Sequence, residues 1–222
     1  MCVICISPKG IRQPNKDECQ AMFKANPHGA GYMFINDDAL VEIHKGFMTF
    51  DDFWREIKAR KFTKRDVVIY HFRISTQGGV NPYMTHPFPL TANIENTKIL
   101  DCACPVGIVH NGIIPCTTAP NDEYSDTARF VVEYLSTMIT ETDDISNPFF
   151  QREIAELIQS KMVLLDNQGF TTIGKFTTDD SGLMYSNMFW KHDLITQRFV
   201  KGDYRLYNNY TFECKSRKEY KR

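Results

Sequence analysis

Hydrophobic and polar positions alternate in blocks along this chain, and the period of each block predicts its secondary structure. Apolar runs rich in β-branched and aromatic residues predict strands over residues 2–7, 30–35, 40–47, 67–74, 98–102, 106–110, 162–165 and 170–173. Amphipathic periods near 3.6 residues predict helices over 15–25, 50–60, 126–139 and 149–160. Turns at 36–38 and 167–169 join neighbouring strands as antiparallel hairpins. Because strands and helices come in groups, the pattern favours antiparallel sheets covered by helices, an α+β fold, over a parallel doubly wound sheet.

Residues before three of the helical periods are typical helix caps. Asn15 precedes the first period, and Ser125 precedes the third. Thr49 and Asp52 have the spacing of a capping box at the start of the second. These residues predict where each helix begins.

Length, charge and cysteine content exclude several classes of protein. The chain has 222 residues, 42% of them hydrophobic, which suits one globular domain or at most two. A net charge of −1 does not favour nucleic-acid binding. The first seven residues are too short for a signal peptide, and we find no apolar run of the ~18 residues that span a membrane.

The seven cysteines are odd in number and lack framework or zinc-knuckle spacing, so we expect reduced thiols, no metal and a cytoplasmic location. Nucleotide-binding motifs are missing, and we expect no cofactor.

Cys2 poses the first chemical question. On one interpretation it is only the first residue of a buried strand. On the other, Met1 is removed and Cys2 carries a free α-amine beside its thiol. A terminal amine has a pKa of about 7.7–8.0 and is partly unprotonated near neutral pH. A residue that holds both a nucleophile and a base needs no separate histidine for activation.

Arg73 lies at the end of the strand predicted over 67–74, just before a loop rich in glycine and proline. It is either a surface arginine or a guanidinium that binds a carboxylate through two charge-assisted hydrogen bonds. The loop is either an ordinary turn or a mobile lid, since paired glycines such as Gly78 and Gly79 allow unusual backbone conformations and close approach to a ligand.

Asn111-Gly112 and Asp126 also have a structural and a chemical interpretation. Asn-Gly after a strand commonly forms a turn, but the Asn111 amide and the Gly112 N–H are also suitable donors for an oxyanion hole. Asp126 suits the positive end of a helix, and it is also a suitable partner for the ammonium group of a ligand.

Taken together, these residues form a coherent chemical set. A group for a carboxylate and a group for an ammonium indicate an α-amino acid ligand. A thiol nucleophile and oxyanion donors indicate acyl transfer.

Short motifs in the same order resemble those of the class II glutamine amidotransferases, the glutaminase domains of the N-terminal-nucleophile hydrolases. The resemblance covers residues 2–190. Its motifs are Cys2, NPHGAGY at 26–32, HFRISTQGG at 71–79, THPF at 85–88, VHNGII at 109–114, SDT at 125–127 and GLMYSN at 182–187.

The resemblance implies a four-layer αββα sandwich with two antiparallel sheets. It also implies that Cys2 attacks the side-chain amide of L-glutamine while its own α-amine moves the proton. Asn111 and Gly112 would hold the oxyanion, Arg73 the substrate carboxylate and Asp126 its ammonium. Gly79 and His86 would lie in a lid over the substrate, with Thr76 at the base of that lid.

Two departures from the family limit what the resemblance implies. Ile74 replaces the aromatic residue that usually follows the carboxylate-binding arginine, which puts lid closure and ammonia retention in doubt. Residues 191–222 form an extension too short for a second catalytic domain. Any ammonia acceptor would therefore be a separate synthetase or a second copy of this chain. Alternatives are a non-catalytic glutamine-binding relative and a hydrolase of another γ-glutamyl amide.

Overall fold

A computed structural model describes residues 2–117 and 122–191. Met1 and the extension beyond Lys191 lie outside these residues. The strands are β1 Val3–Ser7, β2 Ala30–Ile35, β3 Val41–Phe47, β4 Val68–Phe72, β5 Phe88–Pro89, β6 Asp101–Cys104, β7 Gly107–Asn111, β8 Lys161–Asp166, β9 Gly169–Ile173, β10 Thr177–Thr178 and β11 Met184–Tyr185.

In the described part of the chain, four longer helices accompany these strands. They are α1 Lys16–Ala25, α2 Phe50–Arg60, α3 over residues 126–138 with a π-helical turn at Val131–Leu135, and α4 Pro148–Ile158. Within the described ranges, no helix has the length and apolar character needed to cross a bilayer.

The strands form two antiparallel sheets, so the fold is α+β, as the sequence predicts. The larger sheet has seven strands in the order β10-β11-β1-β4-β2-β3-β6, and the smaller has four in the order β5-β7-β8-β9. In the larger sheet Val3 pairs with Phe72. This register brings the residue before β1 beside the residues that follow β4, which places Cys2 next to Arg73 and Ile74.

Alternate residues of the central strands enter different apolar clusters. Ile4 and Ile69 from the larger sheet share a cluster with Val109 and Val163 from the smaller one. The neighbouring residue Val3 instead packs in a cluster with residues of α1 and α2, and the next residues of the smaller sheet pack with α3 and α4. The period of two along each strand therefore divides the core into three buried layers.

Most helix predictions are confirmed, with small shifts at the ends. Asn15 caps α1 and forms a full capping box with Glu18. Ser125 caps α3 by accepting the Ala128 N–H at 3.2 Å. The capping box predicted at Thr49 is only half formed. In a full box the Asp52 carboxylate would accept the Thr49 backbone N–H. Here it accepts the Thr49 hydroxyl at 2.7 Å instead.

Two strand predictions are corrected. The strand predicted over 67–74 is shorter, since β4 ends at Phe72. The strand predicted over 98–102 starts later, because Ile94–Lys98 is a 3₁₀ helix and β6 begins at Asp101. Asn93 caps that 3₁₀ helix by accepting the Glu95 N–H at 3.1 Å, which favours a turn over an extended chain.

Candidate active site

The Cys2 thiol lies at the junction of the first strand and the segment after β4. Its Sγ accepts the Ile74 N–H at 3.3 Å and lies 3.4 Å from the Ile74 carbonyl oxygen. The Asn187 side chain donates to the Cys2 carbonyl at 2.6 Å. The thiol and the carbonyl of Cys2 are therefore both held by contacts distant in sequence.

Burial raises the pKa of the Cys2 thiol, while the Ile74 N–H and the charge of Arg73 oppose that rise. A thiol with a raised pKa is mostly protonated near pH 7 and is a weak nucleophile until a base removes its proton. The α-amine of Cys2, once released from Met1, would be such a base.

Arg73 is buried, with 3% of its surface exposed, and its donors are occupied by the following loop. Nη1 donates to the Gly79 carbonyl and Nη2 to the Gln77 carbonyl, both at 2.7 Å. The pocket between Arg73 and Asp126 has a volume of about 20 Å³. That is space for about one water molecule, not for an amino acid. The loop carbonyls therefore occupy one N–H of each Nη atom, and the space left beside the guanidinium is small.

The loop after Arg73 reaches this conformation through its glycines. Gly78 has φ +71°, and a Cβ there would lie 2.8 Å from the Ser125 nitrogen. Gly79 has φ +66° but open space around it. The Ser75 hydroxyl also donates to the Gly79 carbonyl at 2.7 Å. Thr76 stays at the base of this loop and lines the pocket beside Cys2.

Asn111 and Gly112 lie at the end of β7. The Asn111 Nδ2 donates to the Ser186 hydroxyl at 2.9 Å, whereas its Oδ1 is buried and has no hydrogen-bond partner among the described residues. At Gly112, a Cβ would lie 2.4 Å from the Ser160 Cβ. Only glycine therefore fits at position 112, where the chain after β7 comes close to Ser160, the residue before β8.

Asp126 opens α3, and backbone N–H groups hold its carboxylate. Oδ2 accepts the Ile114 N–H at 2.7 Å, and Oδ1 accepts the Thr127 N–H at 2.8 Å. Burial raises the pKa of Asp126, while these two hydrogen bonds and the charge of Arg73 oppose the rise. The pocket therefore contains a fixed acidic group facing the same space as Arg73.

Buried histidines surround this pocket in their neutral form. His86 lines it, and burial lowers its pKa well below the usual value. His110 lies 3.0 Å from the Thr127 hydroxyl and 2.7 Å from the Ser160 hydroxyl, and burial lowers its pKa to about 3. His110 thus connects β7, α3 and the segment before β8, as a residue that shapes the Asn111 loop.

A larger cavity of about 440 Å³ adjoins this pocket and shares Cys2, Ile74, Thr76 and Gly112 with its lining. Asn111, Gly112 and Ser186 line it, together with Ile113 and Lys161. Burial and nearby Lys175 lower the pKa of Lys161. Cys2 therefore lines both the small pocket and the larger cavity.

The structure brings most of the predicted site residues together. The small pocket is lined by Cys2, Arg73, Thr76, His86, Gly112 and Asp126. Asn111 shares the larger cavity with Cys2 and Gly112. Gly79 is not among the residues that line either space, and it reaches the site only through its carbonyl on Arg73.

Sequence reasoning missed the roles of Ser186 and Asn187. Both follow directly after β11 and contact the candidate catalytic residues. The available signal was a polar Ser-Asn pair immediately after an apolar strand, within the GLMYSN motif, but a pair of that kind is common at strand ends.

The motif resemblance gains no support from comparison with known proteins. No protein-family model matches the chain, and no curated protein is significantly similar to it. An assigned reaction therefore depends on the contacts described above.

Proposed function

We propose that this chain is a glutaminase that hydrolyses L-glutamine to glutamate and ammonia through a thioester on Cys2. The observation that carries the proposal is the convergence of a thiol, an arginine and a buried carboxylate on one pocket, with the Asn111-Gly112 segment beside the thiol. The three buried layers between two sheets and two pairs of helices support the αββα sandwich of the N-terminal-nucleophile hydrolases.

In the proposed reaction the α-amine of Cys2 takes the thiol proton, and Sγ attacks the side-chain amide carbon of glutamine. The Asn111 amide and the Gly112 N–H stabilise the oxyanion. The C–N bond then breaks, and the ammonium of Cys2 returns its proton to the departing nitrogen, which leaves as ammonia. Water attacks the thioester with the amine as base, releases glutamate and restores the thiol.

Substrate binding in this proposal uses an exchange of partners at Arg73. A carboxylate with two oxygens replaces the Gln77 and Gly79 carbonyls and forms stronger, charge-assisted bonds. Asp126 receives the substrate ammonium. Displacement of the loop opens the pocket, and Thr76, Gly79 and His86 then contribute to the base and lid of the enlarged site.

The fate of the ammonia belongs to the same proposal. We expect a separate synthetase, or a second copy of this chain, to accept it. We also expect the enzyme to work in the cytoplasm, where reducing conditions keep Cys2 as a thiol.

The larger cavity favours a second candidate substrate, a γ-glutamyl amide with a larger amine. Its volume of about 440 Å³ far exceeds the space that ammonia needs, and it adjoins the proposed oxyanion donors. Lys161 lines it and would attract a leaving amine that carries a carboxylate. Release of glycine from γ-glutamylglycine faster than ammonia from glutamine would support this substrate, provided that Lys161→Gln lowers only the former rate. No glycine release would exclude it.

Intact mass before and after incubation with 6-diazo-5-oxo-L-norleucine tests the proposed function. We expect loss of Met1 and one adduct, mapped to Cys2, that excess glutamine prevents. A Cys2→Ala variant is the matched control and should form no adduct. Retained Met1 without an adduct on purified, folded protein would favour the non-catalytic, glutamine-binding alternative, because an acylated amine is not a base.

A further inference from the structure

The Ser186 hydroxyl lies between the strand of the nucleophile and the amide of Asn111. Ser186 has 1% of its surface exposed and exchanges two hydrogen bonds with Ile4. Its N–H donates to the Ile4 carbonyl at 3.0 Å, and its hydroxyl accepts the Ile4 N–H at 2.9 Å. The same hydroxyl lies 2.9 Å from the Asn111 Nδ2. Ser186 therefore fixes the distance between β1 and the side chain at the end of β7.

Hydrogen-bond capacity limits how these three groups combine. A serine hydroxyl has one proton and two acceptor sites, and Ile4 takes one of the acceptor sites. In the present orientation Asn111 takes the other, which leaves its buried Oδ1 without a partner in the described part of the chain. A buried acceptor without a partner is unfavourable, because it has lost its hydrogen bonds to water.

A half-turn of the Asn111 amide exchanges its two terminal atoms. The Ser186 hydroxyl then donates its proton to Oδ1, and one hydrogen bond between the two residues is kept. Nδ2 moves to the position of the unpaired oxygen, with its N–H groups free. The flipped orientation becomes more stable when a negative oxygen forms nearby, because the free donor then makes a charge-assisted hydrogen bond.

We propose that Ser186 is a positioning residue that holds Asn111 in the donor orientation required by the oxyanion hole. This inference rests on the proposed function and adds a residue to it. Ser186 acts through Asn111 and supplies no proton to the substrate. Ile4 takes one acceptor site of the hydroxyl, which leaves the hydroxyl proton and its second acceptor site for Asn111.

Steady-state kinetics of Ser186→Ala, Asn111→Ala and the double variant test this role. Loss of one oxyanion donor lowers kcat by about 10²–10³ in other hydrolases. We expect Asn111→Ala to fall in that range, and Ser186→Ala to lower kcat by about 10-fold or more, since Asn111 remains but is less well oriented. The KM for glutamine should change little in either variant.

The decisive comparison is made in the absence of Asn111. If Ser186 acts through that amide, Ser186→Ala should not lower kcat further once Asn111 is alanine, so the effects are not additive. A purely structural role predicts that Ser186→Ala lowers kcat equally whether residue 111 is asparagine or alanine. That result would overturn the proposal. If the wild-type protein releases no ammonia, the proposed function and this role are both refuted. If it releases ammonia but the losses are additive, only the role of Ser186 is refuted.

Two further variants keep the test valid if Ser186→Ala folds poorly. Ser186→Cys retains a similar volume but has a weaker donor, so kcat should fall with KM unchanged. A wild-type kcat in this variant would overturn the role. Ser181→Ala is the matched control, because that hydroxyl bonds the Asp179 carboxylate at 2.7 Å in the turn before β11, away from Asn111. It should retain the wild-type kcat, and a loss equal to that of Ser186→Ala would contradict a specific role for Ser186.

Discussion

Replacement of Gly112 by alanine gives the most direct test of the geometry beside Cys2. The added Cβ would lie 2.4 Å from the Ser160 Cβ and 2.9 Å from its Oγ. Ordinary carbon contacts begin near 3.4 Å, so Gly112 or Ser160 must move by about 1 Å. A displacement of that size at a catalytic group costs about 10²-fold in rate, comparable with the loss of one oxyanion donor. We therefore expect kcat to fall by about 10², with a smaller change in KM.

A compensating substitution separates this steric effect from other causes. Ser160→Gly removes both atoms that the new methyl group would meet, and the nearest remaining atom is the His110 Nε2 at 3.3 Å. The double variant Gly112→Ala/Ser160→Gly should recover part of the lost kcat relative to Ser160→Gly alone, because the clash is removed while φ +158° at residue 112 still strains an alanine. Gly169→Ala is the control for glycine replacement itself, because that residue lies in the β8–β9 hairpin and a Cβ there meets no atom within 4 Å.

The assay is glutamate release at saturating and limiting glutamine, with thermal unfolding measured in parallel. Unchanged kcat in Gly112→Ala would refute the expectation that this clash displaces a group needed for the reaction. A double variant as slow as Gly112→Ala would refute the steric explanation, even if the single variant loses activity. Lower stability alone, by the 1–3 kcal/mol typical of overpacking, does not account for a fall in kcat of folded enzyme.

Three other predictions concern the nucleophile, the substrate carboxylate and acid stability. Cys2→Ala should abolish glutamate release, and residual wild-type-like activity would refute the assigned nucleophile. Arg73→Lys should raise KM more than it lowers kcat, because lysine cannot form the planar two-bond contact; an unchanged KM, measured over a glutamine titration, would contradict that role. Burial lowers the pKa of His71 and His110 to about 3, so the unfolded chain binds more protons below pH 6.5 and stability falls as the pH falls. Between pH 7.5 and 5.5, each histidine should lower the free energy of unfolding, measured with denaturant, by about 1.4 kcal/mol. His110→Gln should reduce the total loss by that amount. Equal stability at both pH values would refute this prediction.

Helix starts could be predicted from the sequence, because they depend on residues only a few positions apart. Asn15 and Ser125 cap helices through hydrogen bonds to residues three positions ahead, and the sequence displays that spacing directly. The extent of strand 67–74 was overestimated because β-branched composition does not show where pairing stops. Phe72 ends β4 because its pairing with Val3 is the last of that ladder.

Contacts that join distant segments were beyond sequence reasoning. Ser186 contacts Ile4 across 182 positions and Asn111 across 75. Only the order of strands β11, β1 and β4, and the packing of the two sheets, brings these groups together. Residue type indicated what Cys2, Arg73 and Asp126 are able to do, but it did not show that the guanidinium is occupied by its own loop.

The two sides of the site differ in how the chain holds them, and this difference has a consequence for binding. Cys2 and Asn111 are adjacent to paired strands and are fixed by side-chain contacts with Asn187 and Ser186. Arg73 is held by carbonyls of a loop whose glycines adopt left-handed backbone conformations. The proposed substrate would therefore use binding energy to rearrange the loop, while the strands that carry the proposed reacting groups keep their positions. In the proposed mechanism, interactions that open the pocket would set KM, whereas the groups at the strand ends would set kcat.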